Sequence, residues 1–144
     1  MSEHVAVFSG KYETLIAETL DIEAMKDAAK LLVGRHDFKA FSANRRTKKS
    51  TERILYGIRF VMAEPDLLEI FYDGNGFLYN MVRIMTGTLL EIGMGKRSAD
   101  SIANALRSGS REDAGYTAPA MGLMLMSVRY DLDSRDENRN GGNI

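Results

Sequence analysis

The hydrophobic positions along the chain follow two periods, one typical of helices and one typical of strands. Asp21 is a residue that favours a helix start, and apolar residues recur at helical spacing after it. Gly34 is the residue at which this helix is expected to end. Residues 51–63 then alternate between apolar and polar, and a second apolar run at 67–73 follows a short polar turn. These two runs predict an antiparallel hairpin.

The second half of the chain predicts two more helices and a last strand. Asn75 is a suitable N-cap for a helix that runs to about Gly93, and this helix is apolar nearly all round, which is typical of a buried helix. Ser98 can cap a shorter helix that ends at Gly109, and 122–130 has the apolar run of a buried strand. We therefore expect an α+β fold, a mostly antiparallel sheet with helices packed on one face.

The remaining segments carry weaker patterns. Residues 1–20 form an uncertain N-terminal segment with a possible short strand at 5–8, and residues 36–50 have no periodicity and indicate a loop. Residues 132–144 are almost devoid of apolar side chains and indicate a flexible tail. The domain itself is expected at 21–131.

Composition limits the class of protein. With 144 residues, 44% hydrophobic and 27% charged, the chain is long enough for one globular domain, and no apolar run is long enough for a membrane span. The start has no signal-like pattern, and the absence of cysteine excludes disulfides and thiolate metal sites. We expect a cytoplasmic protein without a metal, since His4 and His36 lack metal-ligand spacing.

Arg83 is a cation in the middle of the predicted buried helix. Glu91, the acid within that helix, is two turns away and is not at the spacing for a side-chain pair. Arg83 therefore needs an anionic partner from elsewhere. Asp73 or Glu69 of the preceding strand could supply it, or the side chain could extend to the surface. The face that carries Arg83 is expected to include Tyr79, Asn80 and Gly87 and to form a narrow polar stripe.

A basic segment stands out on a chain whose net charge is −1. Residues 35–59 include eight lysines and arginines against two acidic residues. Such a segment is either a solvated surface or a contact surface for nucleic acid, and composition alone leaves both open.

Three separated blocks resemble the C-terminal half of the TruA-type tRNA pseudouridine synthases. The main block is residues 74–93, GNGFLYNMVRIMTGTLLEIG. The others are His36-Asp37-Phe38 with Phe41, and Ala114-Gly115 with Thr117-Ala118-Pro119-Ala120 and Gly122-Leu123. They occur in the family's order and spacing. The resemblance covers 21–131 and implies the C-terminal half of the pseudouridine synthase fold.

The resemblance implies an enzyme that converts uridine to pseudouridine in the anticodon stem-loop of tRNA, at tRNA positions 38–40, without metal or cofactor. In this family an aspartate in a Gly-Arg-Thr-Asp motif of the N-terminal half carries the chemistry, and an arginine at the position of Arg83 holds its carboxylate. The residues expected to line the active site are Asn80, Tyr79, Thr117, Pro119 and Leu123. The residues expected to contact RNA phosphates are Arg45, Arg46, Lys48, Lys49 and Arg53. Family members are homodimers, so self-association is expected too.

Gly34-Arg35-His36-Asp37 superficially resembles the catalytic motif, but the residues that follow do not continue it. We interpret Asp37 as a capping or structural acid. Because Gly-Arg-Thr-Asp is absent from these 144 residues, we expect the chain alone to be inactive. A non-catalytic RNA-binding or dimerisation module of the same fold remains the alternative. An upstream reading frame that encodes the motif would favour the enzyme.

Overall fold

The computed structural model describes residues 2–11, 20–43, 50–65, 67–119 and 123–130. Within 2–11 and 123–130, and at residue 63, it describes the backbone alone. The expected tail at 132–144 and the basic residues at 44–49 therefore lie outside the described residues.

Five strands form one sheet in the described part of the chain. They are β1 (Ser2–Lys11), β2 (Gly34–Asp37), β3 (Glu52–Glu64), β4 (Leu67–Gly74) and β5 (Leu123–Tyr130). The spatial order is β2-β3-β4-β1-β5, and every neighbouring pair is antiparallel. This confirms the predicted hairpin and the final strand. The strand suspected at 5–8 is longer, and it lies between β4 and β5.

Three described α-helices follow the predicted positions. They are α1 (Ile22–Ala29), α2 (Met81–Gly93) and α3 (Asp100–Ser108). Asp21 caps α1 as predicted, since its carboxylate accepts from the Ala24 amide at 3.0 Å. The predicted stop at Gly34 is wrong, because α1 ends at Ala29 and a tight turn follows it. That turn still buries Leu32 completely.

The termini of α3 agree with the sequence pattern. The Ser98 hydroxyl accepts from the Asp100 amide at 3.1 Å, as a capping side chain does. Gly109 ends the helix in the left-handed conformation, with φ of +70°.

The helices pack on one face of the sheet, as predicted. Alternate residues of β4 are buried, and α2 is buried nearly all round. α1 lies close against the end of α2, where a Cβ on Gly93 would stand 2.6 Å from Met25 Sδ. The largest fully buried side chains are Tyr72, Phe38, Phe41, Met25, Leu32, Leu55, Ile70, Met81, Ile84, Met85 and Leu89.

A β-bulge in β3 corrects the simple alternation expected there. Strict alternation over 51–63 would place Leu55 on the face opposite Ile58 and Phe60, yet Leu55 is buried and the other two pack against the same core. The register shifts between Leu55 and Gly57 relative to β4. The extra residue returns Leu55 to the core face.

The predicted helix start at Asn75 is wrong. The Asn75 side chain accepts from the Ile54 amide at 2.9 Å, and its own amide donates to the Ile54 carbonyl at 3.0 Å. Asn75 thus closes the end of the hairpin, because its side chain can satisfy backbone groups outside a helix. The helix begins only at Met81, after Asn80.

The predicted loop at 36–50 is also partly wrong. Gly34–Asp37 forms the edge strand β2, paired with residues 52–55 of β3, and Lys39–Phe41 forms a single 3₁₀ turn. Phe38 and Phe41 are fully buried. The backbone pairing and these two buried aromatic side chains therefore determine the structure of residues 34–41, although this part of the chain has no sequence periodicity.

Candidate functional site

Arg83 lies half-buried on α2 and bonds two neutral oxygens. Its Nε donates to the Ala118 carbonyl at 2.8 Å, and its Nη1 donates to Asn80 Oδ1 at 3.1 Å. Among the residues that the structure describes, no carboxylate lies within 4.0 Å of the guanidinium. The alternative that Asp73 or Glu69 pairs with Arg83 is therefore wrong.

Asn80 holds the guanidinium from the start of the helix. Its backbone is left-handed, with φ of +62°, a conformation that asparagine adopts more readily than most residues. Its carbonyl accepts from the Ile84 amide at 2.9 Å, so the residue is tied into the first turn of α2. The side-chain oxygen is thereby placed one turn before Arg83, within reach of Nη1.

The segment 114–119 lies directly along α2 and supplies the second acceptor. The Ala118 amide donates to the Arg83 carbonyl at 3.0 Å, while the Ala118 carbonyl accepts from the Arg83 side chain. A Cβ on Gly87 would stand 1.8 Å from the Tyr116 carbonyl oxygen, so the helix must have no side chain there. Contact this close requires glycine.

Two further side chains hold the same segment. The Thr88 hydroxyl accepts from the Gly115 amide and donates to the Ile84 carbonyl, both at 2.8 Å. Arg111 donates to the Gly115 carbonyl at 2.7 Å and to the Thr117 hydroxyl at 3.1 Å. The sequence pattern did not single out these contacts, because Thr88 fits the apolar period of the helix. The glycines of the two family blocks were the available signal.

The predicted lining residues come to one region of the structure in part. Tyr79 precedes Asn80 and has 67% of its surface exposed. Thr117 is half-buried and Pro119 is exposed, on either side of Ala118. Leu123 begins β5, and its side chain lies outside the described residues. Their functional roles remain predictions.

One residue of the basic segment 35–59 is bonded to this region. The amide of Ala43, the last described residue before the gap, donates to the Tyr79 carbonyl at 3.1 Å. The four candidate phosphate ligands Arg45, Arg46, Lys48 and Lys49 follow in the part of the chain that is not described. Arg53 lies on β3, where its Nη1 donates to the Ser50 carbonyl at 2.9 Å and the Glu52 carbonyl at 2.7 Å.

Asp37 has the contacts of a structural acid, as predicted. Its Oδ1 accepts from the Lys39 amide at 3.1 Å and from the Thr51 hydroxyl at 2.5 Å. These bonds connect the end of β2 to the residue before β3, because Thr51 directly precedes that strand. The carboxylate is engaged in local structure rather than directed at Arg83.

Charged and titratable side chains lie near the start of the segment 114–119. Glu91 and Arg97 form a half-buried ion pair at 2.8 Å, and Arg97 also donates to the Asp113 carbonyl at 3.1 Å. Burial raises the pKa of Tyr116, and the negative charge of Glu91 raises this pKa further.

Among the described residues, no helix has the length and the apolar character that a membrane span requires. Within these same parts of the chain, no three His, Cys, Asp or Glu side chains lie together in a way that could hold a metal ion.

Comparison with known proteins points to one family. The sequence profile of the family described as tRNA pseudouridine synthase matches residues 28–131. Similar proteins include tRNA pseudouridine synthase A of Geobacillus sp. strain WCH70, 49% identical over 112 residues, which are 78% of this chain and 45% of that protein. The protein of the same name from Syntrophotalea carbinolica is 46% identical over 115 residues, 80% of this chain and 45% of that protein.

A third relative agrees with these two. The tRNA pseudouridine synthase A of Listeria monocytogenes serotype 4b is 45% identical over 125 residues, 86% of this chain and 50% of that protein. The chain spans about half the length of the curated relatives it matches.

Proposed function

Because the chain belongs to the tRNA pseudouridine synthase family, we propose that it forms the C-terminal half of an enzyme that isomerises uridine in tRNA. The substrate would be the anticodon stem-loop, at tRNA positions 38–40. In the reaction the N1–C1′ bond of the nucleotide breaks and a C5–C1′ bond forms, while C5 loses a proton and N1 gains one. The isomerisation is redox-neutral and needs neither metal nor cofactor.

The observation that carries this proposal is the state of Arg83. Its two bonds go to neutral oxygens, and no carboxylate of the described residues neutralises its charge. A half-buried guanidinium of this kind is costly unless an anion completes it. In our proposal that anion is the aspartate of an N-terminal half with the Gly-Arg-Thr-Asp motif. The cation would keep this carboxylate ionised and oriented, since an opposite charge nearby favours the charged form.

The RNA-binding part of the proposal rests on the basic segment. Arg45, Arg46, Lys48, Lys49 and Arg53 would contact phosphates without reading sequence. The bond from the Ala43 amide to the Tyr79 carbonyl supports this, because it ties the basic segment 35–59 to a residue four positions before Arg83. The target uridine would leave its stack to reach the aspartate.

The pocket for that uridine would be formed by residues around the guanidinium. Tyr79 and Asn80 would line one side, and Thr117 and Pro119 the other. Leu123 would provide an apolar wall against the base. We also propose that the enzyme is a cytoplasmic homodimer. Light scattering of the purified enzyme would test the dimer.

The test compares this chain with the assembled enzyme, meaning this chain combined with an N-terminal half that carries the Gly-Arg-Thr-Asp motif. The substrate is unmodified tRNA transcribed with tritium at uridine C5, so that each turnover releases tritium. We expect release by the assembled enzyme and none by the chain alone, because the nucleophile is absent. Release by the chain alone would overthrow the proposal. Binding of tRNA without release by the assembled enzyme would favour the non-catalytic module.

A further inference from the structure

The side chain of Thr88 connects α2 to the segment that bonds Arg83. Its hydroxyl is buried, accepts from the Gly115 amide and donates to the Ile84 carbonyl. The one hydroxyl makes both bonds, because it acts as donor and acceptor at the same time. Gly115 is thereby held at one point of the helix, less than two turns after Arg83.

The segment runs antiparallel to the helix from that point. Helix residues 83, 87 and 88 meet segment residues 118, 116 and 115 in turn. At one end the Ala118 carbonyl meets Arg83 Nε, and at the other Gly115 meets Thr88. Between them the Tyr116 carbonyl rests on the bare surface of Gly87. A shift at either end therefore moves the carbonyl that orients the guanidinium.

Arg111 also holds the segment. It donates to the Gly115 carbonyl and to the Thr117 hydroxyl, so the amide and the carbonyl of Gly115 are both bonded to side chains. A Cβ on Gly115 would stand 2.7 Å from Thr88 Cα, so the backbone of Gly115 lies directly against the helix. The position of Gly115 is determined from both sides.

We infer that Thr88 is a positioning residue for Arg83, with Arg111 in a supporting part. Neither hydroxyl bond of Thr88 goes to Arg83, so Thr88 acts through Gly115 and Ala118. The inference rests on the proposed function in one respect, the catalytic role of Arg83. The positioning itself is a property of the chain and can be measured without any substrate.

A matched control lies two residues away. Thr86 is as buried as Thr88, but its hydroxyl bonds the Tyr72 hydroxyl at 2.6 Å, inside the core and away from the segment. Valine at either position keeps the shape of the side chain and removes one buried hydroxyl. If the role of Thr88 were purely structural, Thr88→Val and Thr86→Val would have the same effect on hydrogen exchange at Arg83.

The first experiment measures hydrogen exchange by NMR on the full chain. It follows the Nε–H of Arg83 and the backbone amides of Gly115 and Ala118. We expect Thr88→Val to accelerate all three by about tenfold or more, as loss of a local closing interaction does. Thr88→Ser should restore slow exchange, and Thr86→Val should leave the three signals unchanged.

Two results would overturn the inference. One is an unchanged exchange rate of the Arg83 Nε–H in Thr88→Val, and the other is an equal acceleration of exchange in Thr86→Val. Arg111→Lys provides a second variant if Thr88→Val does not fold, because lysine cannot donate to two acceptors in a fixed fork. We expect it to accelerate exchange at Gly115 and Arg83 as well, and unchanged exchange would again contradict the inference.

The second experiment measures kcat and KM of the assembled enzyme. We expect Thr88→Val to lower kcat by about tenfold to a hundredfold with little change in KM for tRNA, because small displacements of a catalytic group have such effects. Thr88→Ser should recover kcat. Faster exchange at Arg83 with unchanged kcat would support the positioning and count against the catalytic part of Arg83, so the two failures are distinguishable.

Discussion

Gly87→Ala tests whether the segment 114–119 rests on α2. On propensity alone this substitution should stabilise the helix by about 1 kcal/mol. In the structure the new Cβ would stand 1.8 Å from the Tyr116 carbonyl oxygen, whereas ordinary contacts begin at 3.4 Å. The difference, 3.4 minus 1.8, means that the carbonyl must retreat by about 1.6 Å or the helix must move.

A retreat of this size breaks the bonds on either side of Tyr116. The two bonds between Arg83 and Ala118 and the bond from Gly115 to Thr88 would all exceed hydrogen-bonding distance. At about 1 kcal/mol each they contribute about 3 kcal/mol. After the gain in helix propensity, the net loss is about 2 kcal/mol. For a chain of this size that corresponds to a decrease in Tm of about 4–8 °C.

The assay is thermal unfolding followed by circular dichroism, with Gly57→Ala as the control. A Cβ on Gly57 would meet no atom within 4 Å, so this variant should unfold at the wild-type temperature or slightly above it. If Gly87→Ala were as stable as the wild type, or more stable, the close contact between helix and segment would be refuted.

Three further predictions concern the charges and the tyrosines. Arg83→Ala in the assembled enzyme should lower the chemical rate by about a hundredfold with tRNA affinity nearly unchanged, in single-turnover and filter-binding assays. The substitutions Arg46→Glu and Lys48→Glu should weaken tRNA affinity, leave the chemical rate nearly unchanged and reduce the salt dependence of binding. An unchanged slope of binding affinity against salt concentration would argue against phosphate contacts. Burial raises the pKa of Tyr72 and of Tyr116 above 10.0, so the folded state retains protons that the unfolded state loses. The free energy of unfolding should therefore fall as pH rises above about 10 in urea titrations, and a flat profile would contradict this.

The hairpin, the start of α1 and both ends of α3 were predictable because local chemistry determines them. Asp21, Ser98 and Gly109 each satisfy or end a helix through groups within a few residues. Asn75 failed as a predictor for the same reason. Its side chain has two possible backbone partners, a helix turn or a neighbouring strand, and only the pairing with Ile54 decides between them.

The site could be predicted only in part. Arg83 was recognisable because a cation in an apolar helix needs a partner, and among the described residues its guanidinium bonds two neutral oxygens. The Ala118 carbonyl could not be identified, since a backbone acceptor leaves no mark in the sequence. Thr88 was hidden as well, because a threonine that fits an apolar period resembles an ordinary core residue.

The central claim is that Arg83 neutralises a carboxylate from an N-terminal half. The most direct measurement is the pKa of the aspartate in Gly-Arg-Thr-Asp, by carbon NMR of the assembled enzyme with Arg83 or with Arg83→Gln. Arg97→Gln serves as a control, since Arg97 already pairs with Glu91. We predict that the aspartate pKa rises by about 1 or more in Arg83→Gln and is unchanged in Arg97→Gln. An aspartate pKa that is the same with and without Arg83 would contradict the account.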